Sequence, residues 1–374
     1  MEFAFDQDQL DLRSTLKAFL TTNAPSAVIR QSLDTGADPG GLWERLAGQL
    51  ELPSVSIPIA LGGAGGSAVE QAIAFEELGA ALVPGRYLAT VGLASSLVVA
   101  CQDDAAAHQV LPGLLGPSST GATFAWSGMD GAALTRPAAT GSISGDVVTI
   151  TGAARSVLDG AMAGLILVLV DTDQGPSLVA LASNQEGVVT EPLHSLDLTR
   201  SMADLQFVDA LGRVIGAPGR GIHIVGQGLE GCRIALCAEQ VGGAQACLDL
   251  TIDYIRLRHQ FGRPIGSFQA VKHKAADMLV RVELARSTAY YAAWAVAQGW
   301  ADAALWTSIA SSYCSEAYLK VATDTIQLHG GIGFTWEHDA HLHFRRAKAD
   351  HALLGSPRWH RDRVATMINS KGAA

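Results

Sequence analysis

The sequence predicts an α+β protein in which an N-terminal all-helical domain is followed by a middle antiparallel β domain and a C-terminal four-helix bundle. Apolar residues recur at helical spacing in the first third, short β-branched runs between turns fill the middle, and long apolar stripes fill the rest. The expected boundaries are 1–118, 119–215 and 216–374, and we expect the middle domain to be a β barrel or sandwich. Hydrophobic residues make up 48% of the 374 residues, which is ample for a large core.

The first domain is expected to begin with a helix capped by Asp6, in which Leu12, Leu16 and Leu20 recur at helical spacing. Further helices are predicted over 42–50, 67–81, 91–101 and 105–115. We expect the solvent face of the 67–81 helix to carry three glutamates, Glu70, Glu76 and Glu77.

The predicted strands of the middle domain lie at 147–151, 165–170, 178–181, 188–190 and 204–208, and turn residues separate them. The C-terminal part then returns to helical spacing. Its stripes contain many small residues, which favours closely packed helices, and we expect these stripes to join helices of more than one subunit. The small residues of the stripes are Ala275, Ala285, Ala289, Ala292, Ala310 and Ala317.

Composition and charge exclude several function classes. The formal net charge of −10 argues against nucleic-acid binding, which needs a basic face. No apolar run approaches the roughly 18–20 residues of a membrane span. The first residues lack the basic and apolar regions of a signal peptide, so we expect a cytoplasmic protein. The five cysteines form no CxxC pair and are expected to be reduced and buried.

Two local patterns are weak. The glycine-rich segment 61–68 approaches a dinucleotide-binding fingerprint, but Pro53 and Pro58 do not fit a preceding central strand and no βαβ alternation follows. The segment 337–343 contains three histidines, a glutamate and an aspartate. It lacks metal-ligand spacing and a second cluster, so surface histidines on a helix are the better interpretation and we expect no metal.

A stronger candidate is the turn between the first two long C-terminal helices. Gly262 and Pro264 turn the chain, and the turn presents Arg258, Phe261 and Gln269 near one point. This combination suits a diphosphate and a heteroaromatic ring. The alternative is an αα-hairpin whose arginine is merely solvated.

The second candidate is the run Gln-Leu-His-Gly-Gly-Ile-Gly-Phe at 327–334. Gln327 precedes Gly330 and Gly331, and glycines end a helix and let the backbone approach a ligand closely. A locally basic tail follows in an otherwise acidic protein. The alternative is a flexible loop between helices.

Together, these two runs and the order of the domains resemble the acyl-CoA dehydrogenase family over essentially the whole chain. The resemblance implies an oxidoreductase flavoprotein that dehydrogenates an acyl-CoA thioester with FAD and passes electrons to an electron-transferring flavoprotein. The family binds FAD across a subunit interface. The resemblance assigns the positions that one subunit lends to its neighbour's FAD to Arg258, Phe261, Gln269, Gln327, Gly330 and Gly331.

The family's own half of the FAD pocket is degraded in this sequence. A Thr-Glu-Pro-x-x-Gly-Ser-Asp segment of the family corresponds to 124–131, where Ala125 and Gly131 replace the hydroxyl residues. The family's Trp-Ile-Thr, which packs on the flavin, falls on Ser156, Val157 and Leu158. The resemblance therefore implies that a ring stack and a hydroxyl donor are lost.

The family's catalytic glutamate is missing as well. Its two known positions correspond to Leu354 and Cys232, and neither side chain acts as a carboxylate at neutral pH. Glu230 and Glu239 lie on the same segment as Cys232 but out of register. Salt bridges at the surface or an interface are their expected role.

The residues that this chain would contribute to its neighbour's FAD site are present. The residues of its own FAD pocket and its own catalytic base are replaced. The chain therefore resembles the β-type, base-lacking subunit of bacterial heterotetrameric acyl-CoA dehydrogenases, which act in fatty acid or steroid side-chain degradation. Its partner would be a second family member that carries the catalytic glutamate. Two alternatives remain: a self-sufficient homo-oligomeric dehydrogenase with a displaced base, and a flavin-free structural or binding protein on the same fold.

Overall fold

The computed structural model describes residues 4–35, 38–128 and 130–372, and it confirms the predicted order of helices, β unit and helices. Asp6 caps the first helix as expected, since its Oδ1 accepts a hydrogen bond from the Gln9 amide at 2.9 Å. A π-helical segment, Tyr87–Ala94, precedes the fifth helix. The N-terminal helices are α1 (Gln7–Asn23), α2 (Ser26–Thr35), α3 (Leu42–Leu50), α4 (Ala68–Ala80), α5 (Ser95–Ala100) and α6 (Asp104–Leu115).

The middle unit is a closed barrel. Its strands pair in the order β4–β2–β3–β7–β5, and β5 pairs back with β4. Most pairings are antiparallel, but β1 and β2 run parallel to β4, while β6 pairs with β7 outside the ring. The strands are β1 (Ala122–Ala125), β2 (Ala139–Ser144), β3 (Val147–Leu158), β4 (Leu165–Thr172), β5 (Gly175–Ala182), β6 (Val188–Leu193) and β7 (Met202–Val214).

The C-terminal unit consists of three long helices and two shorter ones. The long helix α7 lies at the centre and packs against α4, α5, α8 and α9. A two-stranded hairpin, β8 (His259–Gln260) and β9 (Arg263–Pro264), joins α7 to α8. The helices are α7 (Gly221–Leu257), α8 (Gln269–Ala297), α9 (Ala303–His329), α10 (Ala340–Asp350) and α11 (Pro357–Gly372). No described helix is long and apolar enough to cross a membrane.

Three expectations from the sequence need correction. The alanines of the small-residue stripes are at most 8% exposed in the single chain. They therefore pack against helices of the same chain and not against those of another subunit. Glu76 is buried, because α1 and α8 cover that face of α4: it accepts hydrogen bonds from Arg13 at 2.8 Å and Tyr290 at 2.5 Å. His341 and His343 are also buried rather than on the surface, and His343 Nδ1 lies 3.1 Å from the Tyr318 hydroxyl.

The glycine-rich segment at 61–68 does not follow a strand. Two short 3-10 turns, Leu52–Ser54 and Ile59–Leu61, precede it, which agrees with the interpretation that it is not a dinucleotide loop. A Cβ at Gly63 would lie 2.2 Å from the Ile57 carbonyl oxygen, so a close approach between backbones explains this glycine.

Candidate functional site

The first part of the site is the turn after α7. The Arg258 amide donates to the Tyr254 carbonyl at 2.8 Å, and the Arg258 carbonyl accepts from the Ile265 amide at 2.8 Å, so the backbone of the turn is fixed. The Arg258 side chain is exposed and has no ion-pair or hydrogen-bond partner among the described residues. The backbone of Arg258 is thus held in place, while no carboxylate of the described residues pairs with its guanidinium.

Phe261 is the most exposed aromatic residue of this turn. Its side chain is 91% exposed, and its φ of 54° is rare for a bulky residue. Its ring meets the Phe268 ring edge-on at 6.1 Å, while the Arg263 guanidinium lies 4.2 Å above Phe268. Arg263 is thus engaged within the turn, whereas Phe261 and the exposed Gln269 at the start of α8 face outward.

The second part of the site is the end of α9. Gln327 is exposed on the last turn of the helix, and Gly330 ends the helix with φ 64° and ψ −140°, a conformation that favours glycine. A Cβ at Gly330 or Gly331 would meet nothing within 4 Å. The space in front of these glycines is therefore open to a ligand.

The fold brings both parts to one end of the bundle. Helices α7 and α9 run in the same direction and end there, whereas α8 runs in the opposite direction and begins there. Tyr254 of α7 stacks on His329 of α9, with ring centroids 4.4 Å apart. All six residues assigned from the sequence (Arg258, Phe261, Gln269, Gln327, Gly330 and Gly331) lie at this end, which we call the open end.

On the barrel side of the candidate FAD pocket, the corresponding positions are buried, whereas those of the open end are exposed. Ala125 is fully buried, and a Cβ at Gly131 would lie 2.2 Å from the Trp359 ring. Trp359 therefore occupies the space that a side chain at position 131 would need, and neither Ala125 nor Gly131 supplies the hydroxyl that the family resemblance places there. Met129, in the same stretch, lies outside the described residues.

The three residues that correspond to the flavin-packing segment also lack the required chemistry. Val157 and Leu158 are buried, and Val157 lies in the barrel core. Ser156 has φ 51°, and its amide donates to Asp204 Oδ1 at 2.8 Å. A cleft of about 310 Å³ opens between Ser156 and α10, with Leu353 and Lys348 among its lining residues.

The two positions that the resemblance assigns to the family's catalytic base, Cys232 and Leu354, are both buried. Cys232 and Leu354 are 0% and 2% exposed, and burial raises the pKa of the Cys232 thiol to about 12. The Arg233 Nε–H donates to the Leu354 carbonyl at 3.4 Å. The cavity beside Leu354 has a volume of only about 10 Å³. We call Cys232, Leu354 and the surrounding residues the closed region; these residues are Gly131, Arg200, Glu230, Arg233, Glu239, Asp350, Trp359 and Arg363.

The two glutamates on the same helix as Cys232, Glu230 and Glu239, are both paired with arginines. Glu230 Oε1 accepts from Arg233 at 3.0 Å and from Arg363 at 2.5 Å. Glu239 accepts from Arg200 at 2.7 Å and also from Arg346. Salt bridging was expected for both, but the bridges are internal to the chain rather than at its surface.

Two other residues of the closed region, Trp359 and Asp350, were not predicted because no motif marks them. Trp359 fills the space in front of Gly131, and both Arg233 and Arg363 lie over its ring, at 5.2 and 5.7 Å. Asp350 lines the small cavity beside Leu354, and desolvation raises the pKa of its carboxyl to about 7. Arg200 holds Asp350 Oδ1 at 2.9 Å, and the residue is 1% exposed, so no substrate reaches it in this conformation.

Comparison with known proteins identifies the family. The acyl-CoA dehydrogenase N-terminal domain model matches residues 6–116, and the C-terminal domain model matches residues 219–368. The acyl-CoA dehydrogenase IpdE2 of Mycobacterium tuberculosis is 34% identical over 351 residues, which cover 93% of both proteins. This chain belongs to the acyl-CoA dehydrogenase family. The predicted family, fold and enzyme class are thereby confirmed.

Solved structures of the family extend the comparison. The ChsE4–ChsE5 complex of Mycobacterium tuberculosis contains a chain that is 26% identical, with a TM-score of 0.86 and 99% coverage of both chains. A variant of the steroid acyl-CoA dehydrogenase Tcur3481–Tcur3483 contains one that is 26% identical, with a TM-score of 0.87, 98% coverage of this chain and 99% of that chain. The acyl-CoA dehydrogenase fold thus spans this chain almost completely.

Proposed function

We propose that this chain is the base-lacking subunit of a heteromeric, FAD-dependent acyl-CoA dehydrogenase, in which it completes the FAD site of a catalytic partner. The observation that carries the proposal is the state of the two base positions. Cys232 and Leu354 are buried and cannot ionise as carboxylates at neutral pH, while Glu230 and Glu239 are tied to arginines. The partner would therefore supply the glutamate that removes the α-proton of the acyl thioester.

The open end fits the part of FAD that a neighbouring subunit would hold. The unpaired Arg258 guanidinium suits the diphosphate, to which it can donate charge-assisted hydrogen bonds. Phe261 offers an exposed ring for contact with a heteroaromatic group, and Gln269 and Gln327 offer amide donors and acceptors. The open space at Gly330 and Gly331 lets the ligand approach the backbone. Bound FAD would supply the acceptor for the hydride that leaves Cβ of the substrate.

Two similar structures support a heteromeric assembly. Both the ChsE4–ChsE5 complex and the Tcur3481–Tcur3483 enzyme are described by two components, and the latter is described as a steroid acyl-CoA dehydrogenase. We therefore propose a heterotetramer that acts on a bulky acyl-CoA, such as a steroid side-chain thioester. An electron-transferring flavoprotein would then reoxidise the flavin.

The proposal is tested by producing the chain alone and together with a family member that carries the glutamate, ideally one encoded beside it. FAD content per chain and acyl-CoA-dependent dye reduction are then measured for each preparation. We expect little FAD and negligible activity for the chain alone, and both FAD and activity for the complex. Light scattering should show a heterotetramer.

Two other results would contradict the proposal in distinguishable ways. High activity of the chain alone would indicate a homo-oligomeric enzyme with a displaced base. Asp350→Asn would then identify Asp350 as that base if it abolished the activity. A complex that forms but contains neither FAD nor activity would indicate a structural or binding protein on this fold.

A further inference from the structure

The residues assigned to FAD at the open end are poorly supported by their own segments. Phe261 is 91% exposed, and Gly330 and Gly331 have no neighbours in the direction of a side chain. Arg258 directly follows α7, whereas Gln327 lies on α9. One FAD molecule can contact both parts only if the last turns of α7 and α9 keep a fixed distance and rotation.

A small set of polar and aromatic contacts joins these two last turns. Tyr254, one turn before Arg258, stacks on the His329 ring with a centroid distance of 4.4 Å and an interplanar angle of 27°. One turn further back, the Thr251 hydroxyl donates to Thr325 Oγ1 at 3.1 Å, and the Thr325 hydroxyl lies 3.2 Å from the Cys247 carbonyl. The contacts therefore run along both helix ends and stop where the FAD residues begin.

His329 is the centre of this set. It is 3% exposed and directly precedes Gly330. Its Nδ1 lies 2.7 Å from the Thr325 carbonyl, which can only accept, so Nδ1 carries the proton and the ring orientation is fixed. Gly333 folds over it from the loop, since a Cβ there would lie 3.1 Å from His329 Cβ, and the His338 ring lies 4.4 Å away.

Packing alone does not explain a histidine at position 329, because a phenyl ring could fill the same space. Its Nε2 is buried and has no hydrogen-bond partner among the described residues, so the imidazole carries a desolvation cost that a phenyl ring would avoid. Burial also lowers the pKa of the ring, which is consistent with a neutral imidazole. What the imidazole adds over a phenyl ring is the hydrogen bond to Thr325, which sets the plane that Tyr254 stacks on.

We propose that Tyr254 and His329 form a clasp that positions the two FAD-contacting segments relative to each other. The proposal rests on the proposed function, since it takes the open end as the surface that meets the partner's FAD. Both residues act through Arg258, Gln327 and the glycines, so they are positioning residues rather than ligands of the cofactor. Weakening the clasp loosens FAD in the assembled complex without removing any group that touches it.

The test is a titration of the deflavinated complex with FAD, with wild type compared against Tyr254→Ala and His329→Ala. We expect each variant to raise the FAD dissociation constant by about 3- to 10-fold, the range that one lost aromatic contact allows. The double variant should be no weaker than about 10-fold, because the two side chains act as one contact. The kcat at saturating FAD should stay unchanged, since no reacting group is altered.

Two conservative variants separate the two halves of the clasp. His329→Phe keeps the stacked ring and loses the hydrogen bond to Thr325, whereas His329→Asn keeps a donor near Nδ1 and loses the stack. Recovery of most of the FAD affinity by His329→Phe would assign the effect to stacking, and recovery by His329→Asn would assign it to the hydrogen bond. These variants also test the clasp if His329→Ala fails to assemble.

The matched control removes a similar contact at the other end of the bundle. Tyr291 and Trp306 meet there with ring centroids 4.5 Å apart. Tyr291→Ala should leave the FAD dissociation constant within about 2-fold of wild type, because it lies far from both segments. If Tyr291→Ala weakens FAD as much as the clasp variants do, the effect is general loosening and the clasp is wrong.

Including Arg258→Ala in the same titration distinguishes a failure of the clasp from a failure of the proposed function. If Arg258→Ala weakens FAD binding and the clasp variants do not, the clasp is overturned and the proposed function stands. If Arg258→Ala has no effect either, the open end is not an FAD site, and both the function and the clasp fail.

Discussion

The open end and the closed region contain the same kinds of residue, but they use them in opposite ways. At the open end, Arg258 and Phe261 are exposed, Arg258 has no ion-pair partner among the described residues, and Gly330 and Gly331 face empty space. In the closed region, every arginine is paired, Gly131 is covered by Trp359, and about 10 Å³ remains beside Leu354. Exposed, unpaired groups are available to a ligand, whereas buried, paired ones stabilise the fold.

This difference leads to a general expectation. Substitutions in the closed region should change the free energy of unfolding of the chain, and they should not change the affinity of the complex for FAD. Substitutions at the open end should do the reverse. The following predictions test this division.

Glu239→Ala should destabilise the chain more than any other substitution considered below. Glu239 is 5% exposed and binds Arg200 and Arg346, which join the segment after β6 to α10. Its removal leaves buried cations underpaired, and we expect a loss of about 3–5 kcal/mol in the free energy of unfolding. Urea denaturation of the isolated chain measures this loss.

The control for Glu239 is Glu316→Ala, which breaks an exposed pair with Arg361 at 2.6 Å. That change should cost less than about 1 kcal/mol. Equal losses for the two variants would show that the buried charges of the closed region do not stabilise it.

The next effect depends on pH. Asp159 is 3% exposed, and desolvation raises the pKa of its carboxyl to about 6, although Arg200, Arg86 and a backbone hydrogen bond from Ser201 act in the opposite direction. The folded state therefore binds the proton more tightly than the unfolded state, and stability falls as the pH rises through 6. Asp159→Asn removes this cost and tolerates the positive φ of 53° at this position.

We expect Asp159→Asn to stabilise the chain by up to about 3 kcal/mol at pH 8, by about half of that at pH 5, and by little at pH 4. Urea denaturation at each pH measures the difference. A constant difference between pH 5 and pH 8 would show that Asp159 does not titrate in this range.

At the open end, Arg258→Ala should weaken FAD binding by the complex by about 10- to 150-fold, because hydrogen bonds between charged groups contribute about 1.5–3 kcal/mol. Arg258→Lys should recover only part, since a point charge does not reproduce the planar fork. The stability of the isolated chain should not change. Flavin titration and urea denaturation of the same variants test both parts.

The matched control for Arg258 is Arg263→Ala. The Arg263 guanidinium already lies over Phe268, so its loss should affect FAD much less. Wild-type FAD affinity in Arg258→Ala would remove the main support for the proposed cross-subunit site.

The smallest effects come from a pair of glycines. In Gly131→Ala, the new Cβ would collide with Trp359, and we expect a loss of about 1–3 kcal/mol in the free energy of unfolding. In Gly331→Ala, the Cβ meets nothing, so stability should stay within about 0.5 kcal/mol of wild type while FAD binding by the complex weakens. Thermal or urea denaturation of both variants, with flavin titration of the second, compares the two regions directly. A destabilised Gly331→Ala would contradict the division.

Much of the fold follows from local patterns in the sequence. The capped helix after Asp6, the helix over Leu42–Leu50 and the β-rich middle were predicted from spacing and turn residues, because these signals act over only a few neighbouring positions. A β barrel or sandwich was expected, but the pairing of β4 with β5 that closes the barrel and the parallel pairing of β1 were not predicted, since strand partners are chosen by contacts distant in sequence.

The same limit applies to individual side chains. The glutamate pattern of α4 predicted a solvent face, but α1 and α8 cover Glu76 and supply Arg13 and Tyr290 as partners. The alanine stripes predicted contacts between subunits, but the helices of one chain already fill them. Periodicity shows which residues share a face, and it does not show what covers that face.

Residue identity and spacing predicted the family and the order of the three structural units. They also indicated the six positions that the resemblance assigns to FAD, and the lack of a carboxylate at the two positions that it assigns to the base. Only the tertiary structure showed that the six residues lie at one open end, that Trp359 and paired arginines fill the closed region, and that Asp350 lies beside Leu354. The exposure of a side chain, its ion-pair partners and its pKa all depend on which distant segments of the chain pack around it. Local sequence patterns do not predict that packing.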